Sequence, residues 1–489
     1  MEQVRITFVH ENVTVTVERG TTLLDAQIKA GLRPDAPCGG KGTCGKCTVR
    51  ADGREALACQ TRADRDMAVE LPEARQERIL TGGIHAEAKP DGRHRYVLAF
   101  DIGTTTVVAY LLDGHTGAVL SQASALNPQT QYGADVISRI QMVMESGPDA
   151  LSDCIREALA ALTAEAARKA GIAPGEIGLA SIVGNTAMHH LLLGIDPAPL
   201  IKPPYMPKVF EALELPAEGL LPIAADGRVR VLPNIAGFVG ADTVGCLLST
   251  RFDQLDELTL MIDIGTNGEI ALGDRRRRLA CSTAAGPAFE GARISCGMRG
   301  ANGAVDRVWL EDGQVRWHVI GGGEAVGLCG SGLLDLVAAL LENGTIDETG
   351  KLLCGDAYRL GDTAVALTQK DVREVQLAKA AIRAGVELMA ERLGEPVEAI
   401  RRVCLAGAFG NFMNPASACR IGMIPPRLED RIEGIGNAAG EGAKLSALSE
   451  AEFDYAKRLA RDTEFLELAS LPQFQDCYVD MLSFEEDEE

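Results

Sequence analysis

The sequence has no apolar run that approaches the ~20 residues needed to cross a bilayer. Its longest apolar stretches, such as LDLVAALL (334–341), are far shorter. The N-terminal stretch MEQVRITFVHENVTVTVERG alternates polar and apolar side chains and lacks the basic segment and apolar block of a secretion signal. We therefore expect no membrane-spanning segment and a cytoplasmic location.

Two common nucleotide-binding signatures are also missing. The chain has no G-x-x-x-x-G-K-[ST] motif, and no G-x-G-x-x-G lies between a predicted strand and a predicted helix. These absences exclude a P-loop site and a Rossmann site, so any nucleotide must be bound in another way.

Positive charge is scarce outside the N-terminal part. The 489 residues carry a formal net charge of −21, yet residues 1–75 hold 11 Lys and Arg against 11 Asp and Glu. The acidic surplus therefore lies in the remaining chain, which repels phosphate backbones, so we expect no nucleic-acid partner. Apolar content of 46% and charged content of 24% are typical of folded proteins. The length suggests about two to four domains.

The chain contains 13 cysteines, and four of them are close together. Cys38, Cys44, Cys47 and Cys59 form the pattern C-x5-C-x2-C-x11-C, and the next cysteine is Cys154. An odd total without a secretion signal favours reduced thiols and metal ligation over a disulfide framework. A structural zinc site usually has a second C-x2-C pair, which this region lacks.

The loop between the first three cysteines, CGGKGTCGKC (38–47), contains four glycines that let backbone amides turn towards sulfur. Two alternating strands (4–9 and 13–18), a helix after Thr21 and Thr22, and this loop follow in the order of a β-grasp ferredoxin. The first spacing is one residue longer than in plant-type ferredoxins and resembles the adrenodoxin type. We therefore predict that the four clustered cysteines bind a [2Fe-2S] cluster, with a zinc site or a free-thiol role as the alternative.

A strand that ends in Asp-Ile-Gly-Thr occurs twice in the remaining chain. YVLAFDIGTTTVVAYLL (96–112) and TLMIDIGTNGEIAL (259–272) each contain an apolar strand, a tight turn and a second strand. Such a turn can present amides and hydroxyls to a phosphate while the carboxylate holds Mg2+ through water. Two matching copies favour one triphosphate site over two ordinary hairpins. The residues predicted to form it are Asp101, Gly103, Thr104, Thr105, Thr106, Asp263, Gly265, Thr266 and Asn267.

Three further segments fit the same kind of site. RVCLAGAFGNF (402–412) predicts a buried strand and a small-residue loop, in which Gly407 and Gly410 allow close backbone approach to a nucleotide. Together with the two Asp-Ile-Gly-Thr turns, this segment resembles the motifs of the acetate and sugar kinase, Hsp70 and actin superfamily. The resemblance implies two connecting helices between hinged lobes, at IAGFVGADTVGCLL (235–248) and NAAGEGAKL (437–445). The resemblance adds Asp242, on the first connecting helix, to Asp101 and Asp263 as a candidate catalytic residue.

The predicted fold is multidomain, of the α/β and α+β classes. We expect a β-grasp [2Fe-2S] ferredoxin-like domain at residues 1–76 and a linker at 77–94. A duplicated, ribonuclease H-like ATPase domain should follow, with its first lobe at 95–250 and its second lobe at 251–489.

A [2Fe-2S] domain followed by this kind of ATPase resembles the reductive activators of corrinoid-dependent enzymes. The segments 184–197, 285–305 and 371–389 look characteristic of that family. The resemblance implies ATP-dependent transfer of one electron from the cluster to a Co(II) corrinoid, which restores the Co(I) form used in methyl transfer. It also implies a corrinoid protein or corrinoid-dependent methyltransferase as partner, a ferredoxin, flavodoxin or reductase as electron donor, and a homodimer. The chain lacks a D-x-H-x-x-G corrinoid signature and has a shorter linker than longer family members.

Other functions remain open from the sequence. A small-molecule kinase with a redox regulatory domain would need a catalytic base, and His189 and His190 lie beside apolar residues typical of a core. An activator of another low-potential enzyme, such as a 2-hydroxyacyl-CoA dehydratase, would need cluster-binding cysteines within the ATPase part, where the cysteines have no ligand spacing. A third alternative is an ATP-gated scaffold that senses redox state without hydrolysis.

Overall fold

The computed structural model of the chain describes residues 2–32, 34, 36, 40, 42, 45–72, 83, 88–265 and 267–484. Within these residues, no helix combines the length and apolar character needed to span a membrane. Three predicted site residues, Cys38, Cys44 and Thr266, lie outside the described residues, as does most of the predicted linker.

The N-terminal module is a mixed sheet covered by a helix. Its elements are β1 Gln3–Phe8, β2 Val13–Glu18, α1 Leu23–Lys29, β3 Thr48–Ala51, β4 Arg54–Leu57 and β5 Met67–Glu70. The strand order is β2-β1-β5-β3-β4, and β1 runs parallel to β5. Thr22 caps α1 because its hydroxyl accepts the backbone N–H of Asp25. Ile6, Phe8 and Leu23 are fully buried in the core between sheet and helix, which confirms the predicted β-grasp fold.

Two six-stranded sheets form the centres of two lobes. The first lobe contains β6 Tyr96–Ile102, β7 Thr106–Asp113, β8 Val119–Leu126, β9 Ile177–Gly184, β10 Leu213–Pro216 and β11 Arg228–Val231. The strands that follow are β12 Thr259–Ile264, β13 Gly268–Gly273, β14 Arg278–Thr283, β15 Ala304–Glu311, β16 Gln314–Val319, β17 Gly327–Leu328, β18 Ala357–Arg359, β19 Ala366–Thr368, β20 Arg402–Ala406, β21 Ile432–Gly436 and β22 Glu464–Phe465. Of these, β12–β14 and β20–β22 form the sheet of the second lobe.

Helices cover both sheets. They are α2 Val136–Ser146, α3 Asp149–Ala170, α4 Thr186–Leu193, α5 Ala241–Ser249, α6 Gly330–Glu342, α7 Gln369–Leu393, α8 Gly407–Phe412, α9 Pro415–Arg420, α10 Ala438–Leu448, α11 Glu450–Arg461 and α12 Phe474–Asp480. The long helices α3 and α7 bury apolar stripes against the first and second sheet respectively.

The two sheets share the order of five strands. It is β11-β9-β6-β7-β8 in the first lobe and β21-β20-β12-β13-β14 in the second, while the sixth strand lies at opposite edges, β10 beside β11 and β22 beside β14. In each lobe an antiparallel three-stranded meander is continued by two parallel strands. Asp101 near the end of β6 and Asp263 near the end of β12 therefore occupy corresponding positions.

Two helices, α5 and α10, pack against each other where the lobes meet. A Cβ atom added at Gly442 of α10 would lie 2.2 Å from the carbonyl oxygen of Gly245 in α5. One added at Gly245 would lie 2.8 Å from the carbonyl oxygen of Ala439. The two backbones are thus in direct contact, as expected for the predicted connecting helices.

The N-terminal module also contacts the second lobe. The side-chain ammonium of Lys46 donates a hydrogen bond to the backbone carbonyl of Gly297. Lys46 directly precedes Cys47, so this bond joins the predicted cluster loop to the ATPase part of the chain.

We predict that Gly442→Ala destabilises the protein although alanine is the better helix former. The added methyl group meets backbone atoms that cannot rotate away, and overpacking of this kind costs about 1–3 kcal/mol. Thermal unfolding should show a lower Tm. Gly175→Ala is the matched control, because no atom lies within 4 Å of its added Cβ. Equal Tm values for the two variants would contradict the close crossing.

Candidate functional site

The cluster loop is described in part, and the described part surrounds Cys59. Cys47 and Cys59 are 4% and 7% exposed, and the carbonyl of Cys47 accepts the N–H of Ala58 at 2.8 Å. The side-chain amide of Gln60 lies 3.6 Å from the Sγ of Cys59 and can donate to it. Gly40, Gly42 and Gly45 all have positive φ, a conformation that glycine adopts without strain. A tight loop, adjacent thiols and an N–H donor are the features that fit an iron-sulfur cluster.

The first predicted phosphate turn, Gly103–Thr106, follows β6. Its backbone carbonyl groups accept hydrogen bonds that hold it in place. The N–H of Gly103 donates to the carbonyl of Thr106 at 2.9 Å, which closes the turn. Asn127, a fully buried residue, donates to the carbonyl of Gly103 and, through its backbone N–H, to that of Thr105, both at 2.8 Å. The buried guanidinium of Arg139 donates to the carbonyl of Thr104. These bonds hold the turn in one conformation.

The second turn is similar, and Glu290 lies between the two. The N–H of Gly265 donates to the carbonyl of Asn267 at 2.9 Å. The Oε1 of Glu290 accepts from the hydroxyl of Thr105 at 3.5 Å. The same oxygen is 4.0 Å from the position of a Cβ added at Gly265. Glu290 therefore faces both phosphate turns across the lobe boundary.

The predicted carboxylates come together between the lobes. Asp101, Asp242 and Asp263 are half-buried, and each has a raised pKa. Loss of hydration is the main cause at all three. It raises the pKa of Asp101 and of Asp263 to about 7, and mutual repulsion among the three groups adds to the effect. The same causes raise the pKa of Glu269, which lies within the second repeated motif and sits opposite Asp263 on β13.

Asn437 connects this carboxylate group to the second connecting helix. It is the N-cap of α10, and its Oδ1 accepts the N–H of Gly440 at 2.8 Å. Its side chain hydrogen-bonds to Asp101, which partly offsets the raised pKa there. Its Nδ2 donates to the hydroxyl of the buried Tyr110 at 3.2 Å.

The two glycines predicted to approach a nucleotide have different surroundings. Gly407 begins α8 with φ of 76°, and an added Cβ would lie 2.5 Å from the Oδ1 of Asp263. Gly410 is buried, and its added Cβ would lie 3.0 Å from the Cβ of Leu405 on β20. Gly407 is therefore next to the carboxylates, whereas Gly410 lets α8 pack closely on its own sheet.

The donor set fits a cation that is held through water. In the part of the chain that the structure describes, no three His, Cys, Asp or Glu side chains are placed to ligate one metal ion directly. The carboxylates nevertheless repel one another strongly enough to raise each other's pKa. A hydrated Mg2+ would relieve that repulsion and typically keeps several of its waters in phosphate sites.

His189 and His190, which were considered as the catalytic base of a kinase, are core residues. His190 is fully buried; its Nδ1 donates to the carbonyl of Thr186 at 2.7 Å, and its Nε2 accepts the N–H of Lys208 at 3.0 Å. His189 is buried next to the side chain of Asn234, and loss of hydration lowers its pKa to about 4. Neither ring is placed as a base in the carboxylate site.

Sequence reasoning missed Glu290, Glu269 and Asn437. Glu290 lies in the segment 285–305, which we had noted only as a family resemblance, and Asn437 begins the predicted second connecting helix. An N-cap signal was present at Asn437, because asparagine is among the preferred caps. Its contact with Asp101 depends on the packing of two lobes and has no local signal.

Three family models match consecutive parts of the chain. Residues 7–64 match the 2Fe-2S iron-sulfur cluster binding domain, residues 96–255 the RACo middle region, and residues 257–489 the C-terminal domain of RACo, described as the ASKHA domain. A solved structure, a reductive activator for corrinoid, iron-sulfur protein, superposes with a TM-score of 0.73 at 29% identity and covers 98% of each chain.

Curated relatives agree with these matches. The corrinoid activation enzyme RamQ of Eubacterium limosum is 39% identical over 414 residues, 78% of this chain and 69% of RamQ. The [Co(II) methylated amine-specific corrinoid protein] reductase of Methanosarcina barkeri is 27% identical over 430 residues, 80% of this chain and 77% of the reductase. Together with the ferredoxin-like module, the two similar lobes and the carboxylate group between them, these similarities show that the chain belongs to the RACo family of reductive activators.

Proposed function

We propose that the chain is an ATP-dependent reductive activator. It hydrolyses ATP between its lobes and passes one electron from its N-terminal module to the Co(II) corrinoid of a partner protein, which restores Co(I) for methyl transfer. The observation that carries the proposal is the group formed by Asp101, Asp242 and Asp263 between two similar phosphate turns, in one chain with a ferredoxin-like module.

The nucleotide part of the proposal uses residues from both lobes. The turns at Gly103–Thr106 and Gly265–Asn267 present N–H groups and hydroxyls to the phosphates, and Gly407 leaves room beside Asp263. Asp101 and Asp263 hold the waters of Mg2+, and Asp242 completes the negative charge of the site. Because these groups belong to two lobes, binding one nucleotide favours an arrangement in which both turns contact it.

Glu290 is the candidate that orients the attacking water. It faces both turns, and its distance of 3.5 Å from the hydroxyl of Thr105 places it beside the predicted phosphate position. A carboxylate in such a place can accept a proton from water or hold it in line.

The electron-transfer part uses Cys38, Cys44, Cys47 and Cys59 as ligands. When bound, a [2Fe-2S] cluster supplies a one-electron carrier. The chain's own contribution is the glycine-rich loop around Cys59 and the N–H donor of Gln60, which lower the energy of negative charge on sulfur. Gly410 stays a proposed nucleotide contact, and it also lets α8 approach β20.

The proposal includes several finer features. The electron donor is a ferredoxin, flavodoxin or reductase, the corrinoid partner is a corrinoid protein or methyltransferase, and the activator is a cytoplasmic homodimer. The domain limits stay as predicted, at 1–76, 77–94, 95–250 and 251–489. Family membership supports a partner of this class, and an anaerobic assay of Co(II) to Co(I) conversion with candidate corrinoid proteins tests it. ATP-independent reduction, or none with any partner, would overturn the proposed function.

We predict that the two activities can be separated by substitution. Asp263→Asn should abolish ATP-dependent Co(II) reduction, because it removes charge needed for Mg2+, and should leave the visible absorption of the cluster intact. Cys59→Ala should lose that absorption and keep nucleotide binding. Cys354→Ala, at an exposed cysteine, is the control for loss of a thiol. A Cys59→Ala protein with an unchanged spectrum would disprove the ligand assignment.

We predict that Glu290→Gln lowers kcat for ATP hydrolysis by about tenfold to a thousandfold, with KM for ATP changed less than threefold or so, because the amide keeps the shape but accepts no proton. Steady-state hydrolysis rates measure both constants. A rise in KM with normal kcat would instead assign Glu290 to nucleotide binding.

We predict that Mg2+ binds more weakly at lower pH. The pKa values of Asp101 and Asp263 are about 7, so protons compete with the cation below that pH. The apparent Kd for Mg2+ in the presence of ADP should rise about tenfold or more between about pH 8 and about pH 6. The raised pKa values also mean that the metal-free fold loses stability as pH rises from 3.8 towards 7, and Mg2+ should offset that loss. Calorimetric titration measures the Kd, and Asp101→Asn should flatten its pH dependence.

A further inference from the structure

The chain between the N-terminal module and the first lobe is bound to the second connecting helix. We call Gly83 together with residues 88–93 the strap. Gly83 pairs antiparallel with Gly436, the last residue of β21 and the residue before Asn437. A Cβ added at Gly83 would lie 2.9 Å from both the carbonyl carbon and the carbonyl oxygen of Asn437. The strap therefore touches the start of α10, and glycine is the residue that fits there.

The other end of the strap is bound to the end of α10. The N–H of Asp91 donates to the carbonyl of Leu448 at 2.9 Å, and the Oδ2 of Asp91 accepts the N–H of Glu450 at 3.0 Å. Arg93 forms an ion pair with Glu450. Ala88 packs against the apolar cluster that contains α10. The described residues of the strap thus contact both ends of α10, and Arg93 comes shortly before β6 of the first lobe.

The start of α10 is also the place where the carboxylate site contacts this helix. Asn437 belongs to the second lobe by sequence, since it follows β21, whereas Tyr110 is on β7 of the first lobe. The hydrogen bond from the Nδ2 of Asn437 to the hydroxyl of Tyr110, at 3.2 Å, therefore spans the lobes. Tyr110 lies two residues from Val108, which pairs with Asp101, so this contact lies beside the carboxylate site. A change in lobe arrangement that shifts Asp101 relative to α10 acts on Asn437, and Gly83 lies against the backbone of that residue.

We propose that Asn437 is a positioning residue that connects the nucleotide site to the strap, so that nucleotide binding fixes the strap on α10 and thereby sets the position of the N-terminal module. The inference rests on the proposed function, because the position of the N-terminal module matters only if that module passes an electron to an acceptor. Its structural part, a strap that responds to nucleotide, can be measured without any corrinoid partner.

Amide hydrogen exchange on the full chain, with its cluster reconstituted, tests this directly. We expect Mg-ADP or a non-hydrolysable Mg-ATP analogue to slow exchange of peptides covering residues 83–93 by at least about fivefold. The reason is that the N–H of Asp91 bonds to the end of α10 and Gly83 lies against its start, and that start is held beside Asp101 when both lobes hold the nucleotide. An equal exchange rate with and without saturating nucleotide would overturn the proposal.

Asn437→Ser separates positioning from helix capping. Serine is as good an N-cap as asparagine and can still accept the N–H of Gly440, but its side chain is too short to reach Asp101 and Tyr110. We expect α10 to keep its protection and nucleotide still to bind, while the strap loses its response. Tyr110→Phe is the matched control: it removes only the hydroxyl that accepts from Asn437 and should keep the response. A full response in Asn437→Ser would refute the role of Asn437.

Gly83→Ala tests the strap itself, at a residue outside the predicted catalytic and binding residues. Its methyl group meets the backbone of Asn437, so we expect an unresponsive strap with nucleotide affinity and cluster absorption unchanged. ATP-dependent Co(II) reduction should fall by about tenfold while basal ATP hydrolysis continues. Gly175→Ala should behave like the wild type. Normal Co(II) reduction by Gly83→Ala would overturn the claim that the strap is needed for electron transfer. If nucleotide slows exchange in the strap of the wild type but the wild type reduces no corrinoid, the structural claim stands and the proposed function is rejected.

Discussion

Three half-buried carboxyl groups that face one another between two lobes are the constraint on which this structure depends. Asp101, Asp242 and Asp263 come from two strands and a helix, and their proximity has a cost because each has lost hydration and each repels the others. Buried charges in proteins are usually paired or bound to a metal, so this arrangement fits the proposed cation site. The tight turns, the glycine at 407 and the amide of Asn437 all serve to keep these groups together.

The crossing of α5 and α10 makes that arrangement compatible with movement. Gly245 and Gly442 bring the two helix backbones into contact, so no side chain of these two residues separates the helices at their crossing. Stability comes instead from separate apolar cores on the outer side of each sheet, and from a third cluster around the two helices. Each lobe can remain rigid while the contact between them changes.

Much of this was readable from the sequence, and the rest was not, for physical reasons. Asp101 and Asp263 were identified because each ends an apolar strand before a glycine turn, a local pattern that repeats. Asp242 was reached through its place on a predicted helix between the lobes. Glu290 and Asn437 join the site only because distant segments pack together, so no local pattern marks them. Gly410 was assigned to nucleotide approach on composition, whereas its surroundings show a packing role against Leu405.

The repeated strand order has a consequence for how a ligand is oriented. The five strands with a shared order give the two lobes similar backbones, but a nucleotide has two unlike ends. The direction in which it lies must therefore be decided where the halves differ. The first connecting helix follows β11, which lies next to the edge of its sheet, and the second follows β21, which is an edge strand. Near its first turn, the first helix carries Asp242 and the second carries Asn437. A negative group on one side and a neutral donor on the other give the cleft a polarity that its backbone lacks.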